Sequence, residues 1–411
     1  MSISSSIIPS EHCESEQARI KMPIAHTLPA ARSVTCAHAT RRVRSTFVAG
    51  FTHFVIFLSI MVASFPVAEL VFRLLGDEPS FDLRGLYVSF TNGTYKLAPE
   101  VQTSARFASG PLAVYTDAFG LRCDKAKRFA AHRGQPISIL LIGDSQGFGN
   151  GVNFEDTVAG RIAALAAEGG YRVCNASVGG HSLASQLQLA RWLVEDQRLE
   201  VENFVLLLTP AMIHSPDKLN QAIVGDDGRL YASLGLKTRL HGWVKSNLVI
   251  YSRLRDAVRN LGIGADPTKG SSTVFSFYDV GRQQETMQEL LDTVAEFKKF
   301  AAAHGAGIHI VYVPLTVEAT FESVRQAATK QSASLDPDVS YSIAASVADR
   351  LGIPLHDLRP VLRKAHSDGQ VLIVKGDFHY SPGLSRACGA RLWAELGLSE
   401  RKGKLTTAGS N

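Results

Sequence analysis

Residues 45–68 contain no Asp, Glu, Lys or Arg, and apolar side chains point to every side of a helix drawn through them. A run of about 24 residues is long enough to cross a bilayer as a helix. A core helix of a water-soluble domain would show a single apolar stripe instead. Pro66 lies near the end of the run, and His53 is its one titratable group. Beyond residue 136 short apolar runs alternate with amphipathic stretches. Residues 137–142 are continuously apolar, as suits a strand buried on both faces. Residues 155–167 read as a helix stopped by Gly169 and Gly170. Strands are expected over 171–176 and 204–208, with a helix over 183–193 between them. Over 285–303 Leu290, Val294, Phe297 and Ala301 fall on one helical face, and Gly305 is the stop. Strands over 308–313 and 353–358 and helices over 341–351 and 385–396 complete the pattern. Residues 214–285 are less regular and hold a helix candidate over 244–261. Strands alternating with helices predict an α/β domain with a central parallel sheet covered on both faces.

The stretch 76–135 differs. Phe81-Asp82-Leu83-Arg84, Gly93-Thr94-Tyr95-Lys96-Leu97 and 114–122 are short β-prone pieces separated by turn residues. They predict a small irregular β layer. The expected organisation is a disordered cytoplasmic tail over 1–45, a transmembrane anchor over 46–75, a β-rich lead-in over 76–135, the α/β domain over 136–400 and a disordered tail over 401–411.

Charge orients this arrangement. Arg32, Arg41, Arg42 and Arg44 precede the apolar run, whereas Glu69, Arg73, Asp77 and Glu78 follow it. The Lys/Arg bias puts the N-terminus in the cytoplasm and everything after about residue 75 outside. That makes the chain a single-pass inner-membrane protein with a periplasmic or otherwise extracytoplasmic domain. A cleaved signal peptide is the alternative, but the preceding tail of about 44 residues is long for an n-region. The net charge is +5, with much of the basic excess near the N-terminus. No Lys/Arg stripe interleaved with aromatics is present, so no nucleic-acid partner is expected. Protein partners are left open. The five cysteines form no CxxC and no Cys/His cluster at zinc spacing, and no cofactor is expected. One disulfide among Cys123, Cys174 and Cys388 is compatible with the count.

Chemistry concentrates at two places. Gly143-Asp144-Ser145-Gln146-Gly147-Phe148-Gly149 is a glycine-rich turn directly after the first expected strand of the sheet. In such sheets ligands bind outside the carboxyl ends of the strands, so Ser145 projects into that cleft. The Ser145 N–H, at the start of a following helix, can face a developing oxyanion. The same residues fit G-x-S-x-G, the α/β-hydrolase elbow, but that fold brings strands of the sheet before its nucleophile. Near the other end lies Lys375-Gly376-Asp377-Phe378-His379-Tyr380-Ser381-Pro382. His379 can take the proton of a serine, and Asp377 can hold its ring in the required tautomer.

Over roughly residues 110–400 the chain resembles the SGNH (GDSL) hydrolase superfamily. Gly143-Asp144-Ser145 resembles the block that carries the nucleophile. The segment 175–182 resembles the block whose glycine N–H helps form the oxyanion hole, with Gly180 the best match and Gly179 the alternative. Asp377 and His379 resemble the orienting acid and general base, although the family commonly spaces them Asp-x-x-His. Thr116-Asp117-Ala118-Phe119-Gly120-Leu121-Arg122 looks like a lead-in of membrane-linked bacterial members. The resemblance implies a flavodoxin-like three-layer α/β/α sandwich, no metal, catalysis by Ser145, His379 and Asp377, and an oxyanion hole at Ser145 and Gly180. The family's third block places an asparagine after the third strand. Here that place reads Leu208-Thr209-Pro210-Ala211-Met212-Ile213-His214, with no asparagine before Asn220. One donor is therefore missing unless Thr209 or His214 replaces it.

The expected function is that of an extracytoplasmic serine esterase or O-acyl-modifying enzyme whose ester-bearing substrate is an acylated polysaccharide or a lipid. The alternatives are an impaired carbohydrate-binding or envelope-assembly relative and a lysophospholipase or thioesterase. His181 is a candidate pocket residue, His356-Asp357 reads as structural, and 243–258 reads as a solvated or membrane-facing amphipathic helix.

Overall fold

The computed structural model describes residues 36–75, 83–107, 110–126, 135–217, 222–225, 228–231, 276–320, 335–374 and 378–397, with parts of 240–254. The chain divides into two units after Phe65. The first holds most of helix α1, Cys36–Leu74. Its stretch Phe51–Leu74 is long and apolar enough to cross a membrane. The helix begins ten residues before the expected anchor, taking in 36–45, which the sequence pattern assigned to a disordered tail.

In the second unit the last turns of α1 are tied to the α/β domain. The Glu69 carboxylate accepts from the backbone N–H groups of Val249 (3.1 Å) and Ile250 (3.0 Å), and Arg73 pairs with it at 2.8 Å. Arg73 also donates to the Asn247 carbonyl. Glu69 thereby caps the start of a helical turn, where N–H groups lack partners within their own helix. The described residues of 243–254 are helical except Leu248. The rest of the helix candidate over 244–261 lies outside the described residues.

The main sheet has eight strands. Its parallel part is built from β6 (Ile139–Gly143), β7 (Val173–Asn175), β8 (Asn203–Leu208), β11 (Gly307–Tyr312) and β12 (Leu355–Asp357), in spatial order β7-β6-β8-β11-β12. That is the flavodoxin-like order, with its switch point at β6. Side chains alternate between two cores, as a pleated strand requires. Phe204, Leu206 and Leu208 of β8 face one core, with Leu290, Val294 and Phe297 of α6 (Gln283–Ala303) and Ile343 and Val347 of α7 (Val339–Leu351). Val205 and Leu207 face the other, with Ile162 of α3 (Val158–Ala167) and Leu384 and Leu392 of α9 (Pro382–Leu396). The remaining helices of the sandwich are α2 (Ser145–Phe148), α4 (Leu183–Arg191), α5 (Pro210–Ile213) and α8 (Arg359–Ser367).

The lead-in is not a layer of its own. A hairpin of β1 (Tyr87–Ser89) and β2 (Tyr95–Leu97) stands apart from the sheet, but β3 (Gln102–Phe107), β4 (Gly110–Thr116) and β5 (Arg122–Cys123) extend it antiparallel beyond β7. The junction is the pairing of Arg122 with Asn175. Two short strands, β9 (Ile223–Val224) and β10 (Leu230–Tyr231), form a separate ribbon. Cys123, Cys174 and Cys388 are three separate buried thiols, so the disulfide compatible with their number is not formed.

Candidate active site

Ser145 is the first residue of α2, directly past the carboxyl end of β6 and at the switch point of the sheet. Asp144 caps the helix, accepting from the Gln146 N–H at 2.9 Å. The helix lasts four residues because Gly149 turns left-handed at φ 83°. A β-carbon at Gly149 would come within 2.3 Å of the Thr157 methyl, so both the angle and the space demand glycine. The N–H groups of Gly149 and Asn150 both return to the Ser145 carbonyl, at 3.0 and 3.1 Å.

Arg122 holds this turn from below. It is fully buried, and its guanidinium donates to the carbonyls of Phe148, Gly149 (2.8 Å) and Val152 (2.7 Å) while lying 4.2 Å from the Phe148 ring centre. Burial lowers its pKa to about 10, which leaves it protonated at neutral pH. Asn175 ties in the neighbouring turn. Its Nδ2 donates to the Gly147 carbonyl and its Oδ1 accepts from the Ser177 N–H, each at 3.0 Å.

That second turn carries the two candidate glycines. The position a β-carbon would take on Gly179 lies 3.8 Å from the Ser145 Cβ, 3.3 Å from the Tyr87 hydroxyl and 3.9 Å from the Asn150 Oδ1. The corresponding position on Gly180, at φ 81°, faces the Tyr95 hydroxyl instead, at 2.7 Å. Tyr95 donates to the Gly179 carbonyl at 2.8 Å. Among the described residues, none accepts from the N–H groups of Ser145, Gly179 or Gly180. The glycine that abuts Ser145 is thus Gly179, and Gly180 shapes the turn beside it.

His379 sits on the segment between α8 and α9 and is buried. Its carbonyl accepts from the Val374 N–H at 2.9 Å, and Ser381 two residues on caps α9. Gln146 then fastens this segment to α2. Its Nε2 donates to the Phe378 carbonyl at 3.3 Å, and its Oε1 accepts from the Tyr380 N–H at 3.2 Å. One amide therefore grips the backbone on both sides of His379. The imidazole Nε2 lies 3.4 Å from the Asn150 Nδ2. Among the described residues none hydrogen-bonds the Ser145 Oγ, while Asn150, five positions on in the same turn, is the residue that reaches His379. Catalytic hydrogen bonds often close only around substrate. Asp377 lies outside the described residues.

Neither proposed replacement for the missing donor is available. Thr209 donates to the Asp144 Oδ2 at 2.6 Å and accepts from the Met212 N–H, so its hydroxyl is spent on holding Asp144. Burial raises the Asp144 pKa, opposed by the hydrogen bonds from Thr209 and Gln146 and by nearby His379. His214 bonds the Ser340 hydroxyl at 3.2 Å, and burial lowers its pKa to about 4. His181 is also buried, with its pKa lowered to about 4, and its neutral ring donates from Nε2 to the Tyr95 carbonyl at 2.8 Å. It props the hairpin. His356 bonds His309 (3.1 Å) and Glu395 (3.2 Å), away from the site. Among the described residues no group of three or more His, Cys, Asp or Glu side chains is placed to hold a metal.

Gln146, Asn150 and Tyr87 are the residues that the sequence pattern did not single out. The first two share the Ser145 turn, which was the available signal. Replacing Gln146 with alanine removes two of the bonds that hold the His379 segment, and if His379 serves as a base, kcat on an aryl ester should fall about 10- to 100-fold, as expected of a misplaced catalytic group. A variant with unchanged kcat would show that the clamp is dispensable.

No family model and no curated protein matches the sequence. The chain is similar in structure to TesA (15% identity, 63% of this chain and 97% of that one, TM-score 0.34). It is similar to the acetyl xylan esterase AlAXEase (14%, 63% and 100%, TM-score 0.34). It is also similar to Est24, a carbohydrate acetylesterase from Sinorhizobium meliloti (11%, 63% and 98%, TM-score 0.34).

Proposed function

We propose that this protein is a membrane-anchored serine esterase or O-acyl-modifying enzyme whose catalytic domain lies outside the cytoplasm. One observation carries the reading: Ser145, Gly179 and His379 meet around Asn150 at the carboxyl edge of a parallel sheet. In this reading Ser145 Oγ attacks the ester carbonyl carbon, and its proton passes to the His379 Nε2. The carbonyl oxygen becomes an oxyanion held by the Ser145 N–H and by the Gly180 turn, where Gly179 offers a second N–H. Collapse expels the alcohol, which takes the proton back from His379. Water or a sugar hydroxyl then releases the acyl group by the same steps in reverse. Asp377 orients His379. The Lys/Arg bias around the apolar helix supports an outward-facing domain and hence an envelope substrate such as an acylated polysaccharide.

A second reading, a lipid-active thioesterase or lysophospholipase, is favoured by a cavity of about 420 Å³ beside the His379 segment. Val371, Ile373, Val374 and Pro382 line it, and Phe378, 66% exposed, stacks on the His379 ring. Fluorophosphonate labelling followed by peptide mapping tests the common core of both readings. Modification of Ser145 is the expected result. A protein that stays unlabelled, and that cleaves neither acetyl nor long-chain aryl esters, is the non-catalytic envelope relative instead. Acyl-chain profiling separates the first two: preference for acetyl supports the esterase, and preference for chains of about eight carbons or more supports the lipid enzyme.

A further inference from the structure

The turn that carries Ser145 also carries a side-chain amide with no structural task of its own. Asn150 follows the left-handed Gly149, and its N–H returns to the Ser145 carbonyl at 3.1 Å. Its position relative to the serine is therefore set by the turn itself, which Arg122 pins at Phe148, Gly149 and Val152. The side chain is half-buried. Its Nδ2 reaches the His379 Nε2 at 3.4 Å, and its Oδ1 lies 3.9 Å from the vacant β-carbon position of Gly179, itself 3.8 Å from the Ser145 Cβ. One amide thus borders the base and the glycine turn, on the turn that carries the nucleophile. Of the other polar side chains around the turn, Thr209 is bonded to Asp144, Asn175 to Gly147 and Ser177, and Gln146 to Phe378 and Tyr380, whereas the fully buried Ser177 hydroxyl packs against Gly143 and Gly147 and the Tyr87 hydroxyl faces Gly179.

We propose that Asn150 is the side-chain oxyanion donor of this site; the assignment rests on the reading of Ser145 and His379 given above. An amide nitrogen carries two N–H groups. The one aimed at Nε2 requires that ring nitrogen to hold a lone pair, which is the tautomer a general base needs. As the Ser145 Oγ bonds to the carbonyl carbon, its proton moves to Nε2 and the carbonyl π pair moves to oxygen. Nε2 has a single lone pair, so the Asn150 Nδ2 leaves it as the Ser145 proton arrives and turns to the oxyanion formed in the same step. The amide changes partner at the moment charge appears, and it returns when His379 gives up its proton to the leaving alcohol.

The test uses the full-length protein in detergent, with p-nitrophenyl acetate for turnover and a fluorophosphonate for the covalent adduct. Asn150→Ala should lower kcat about 100-fold with KM changed less than about threefold, as for loss of one oxyanion donor. It should also slow labelling of Ser145. A crystal structure of the unsubstituted adduct should place the Asn150 Nδ2 within about 3.1 Å of the phosphonyl oxygen, and this result does not depend on whether the variant folds. An Asn150→Ala enzyme with kcat within about threefold of the parent, or an adduct whose Nδ2 stays away from the phosphonyl oxygen, overturns the assignment while leaving Ser145 as nucleophile. A parent protein that neither turns over nor labels overturns both together.

Discussion

Replacing Ser145 with alanine should lower ester turnover by roughly 10⁴-fold or more, within the range seen when a nucleophile of a serine triad is removed. The fold should not notice. Among the described residues no hydrogen bond holds the Ser145 Oγ, and the side chain that caps α2 is Asp144. Stability should therefore stay within about 0.5 kcal/mol of the parent, as for substitutions that remove no buried contact. Initial rates on p-nitrophenyl acetate beside a thermal melt check both halves. Retained turnover would place the chemistry at another residue. A lost fold would give Ser145 a structural task that its surroundings do not show.

The second large effect is on stability. Arg122→Met should cost about 3–5 kcal/mol, the scale of leaving several buried carbonyls without their charged donor. The methionine stem can fill part of the volume beside Phe148, but it donates to none of the three carbonyls that Arg122 satisfies. Each carbonyl left dry costs on the order of 1–3 kcal/mol before relaxation. For a domain of this size the melting temperature should fall by roughly 10 °C. Arg122→Lys should recover little, since an ammonium lacks the planar fork that reaches three acceptors. A melting temperature within about 2 °C of the parent would mean that water takes over those carbonyls. Because the same carbonyls frame Asn150, activity should decline in Arg122→Met below the temperature at which the domain melts.

Much of this arrangement is legible in the sequence, for identifiable reasons. Strands β6 and β8 announce themselves because burial on both faces forces continuous apolar runs. Helix α6 does so because Leu290, Val294 and Phe297 share one face. Helix α8 is hidden, since Arg359, Arg363, Lys364 and His366 crowd nine residues and Pro360 at its start reads as a break. The antiparallel extension is hidden too. Strand β5 is two residues long, too short for any period, and its place depends on one pairing with β7. At the site, Ser145 and His379 stand out through local motifs. Gln146 and Asn150 are ordinary residue types whose roles exist only because the fold returns the 378–380 segment, more than 200 positions later, to α2. Which of two adjacent glycines abuts Ser145 cannot be read from the sequence, because it turns on the left-handed kink at Gly180.

The carboxylate of Glu69 bears on the fate of the apolar helix. A leader sequence is disposable by design: once trimmed, nothing in the mature domain should miss it. Here the domain would miss it. Removing the chain up to Leu75 would strip Val249 and Ile250 of their shared acceptor and Asn247 of its guanidinium donor. The final turns of the helix are thus built into the domain that follows: Glu69 and Arg73 serve the fold of the 247–250 segment whatever the apolar residues before them do.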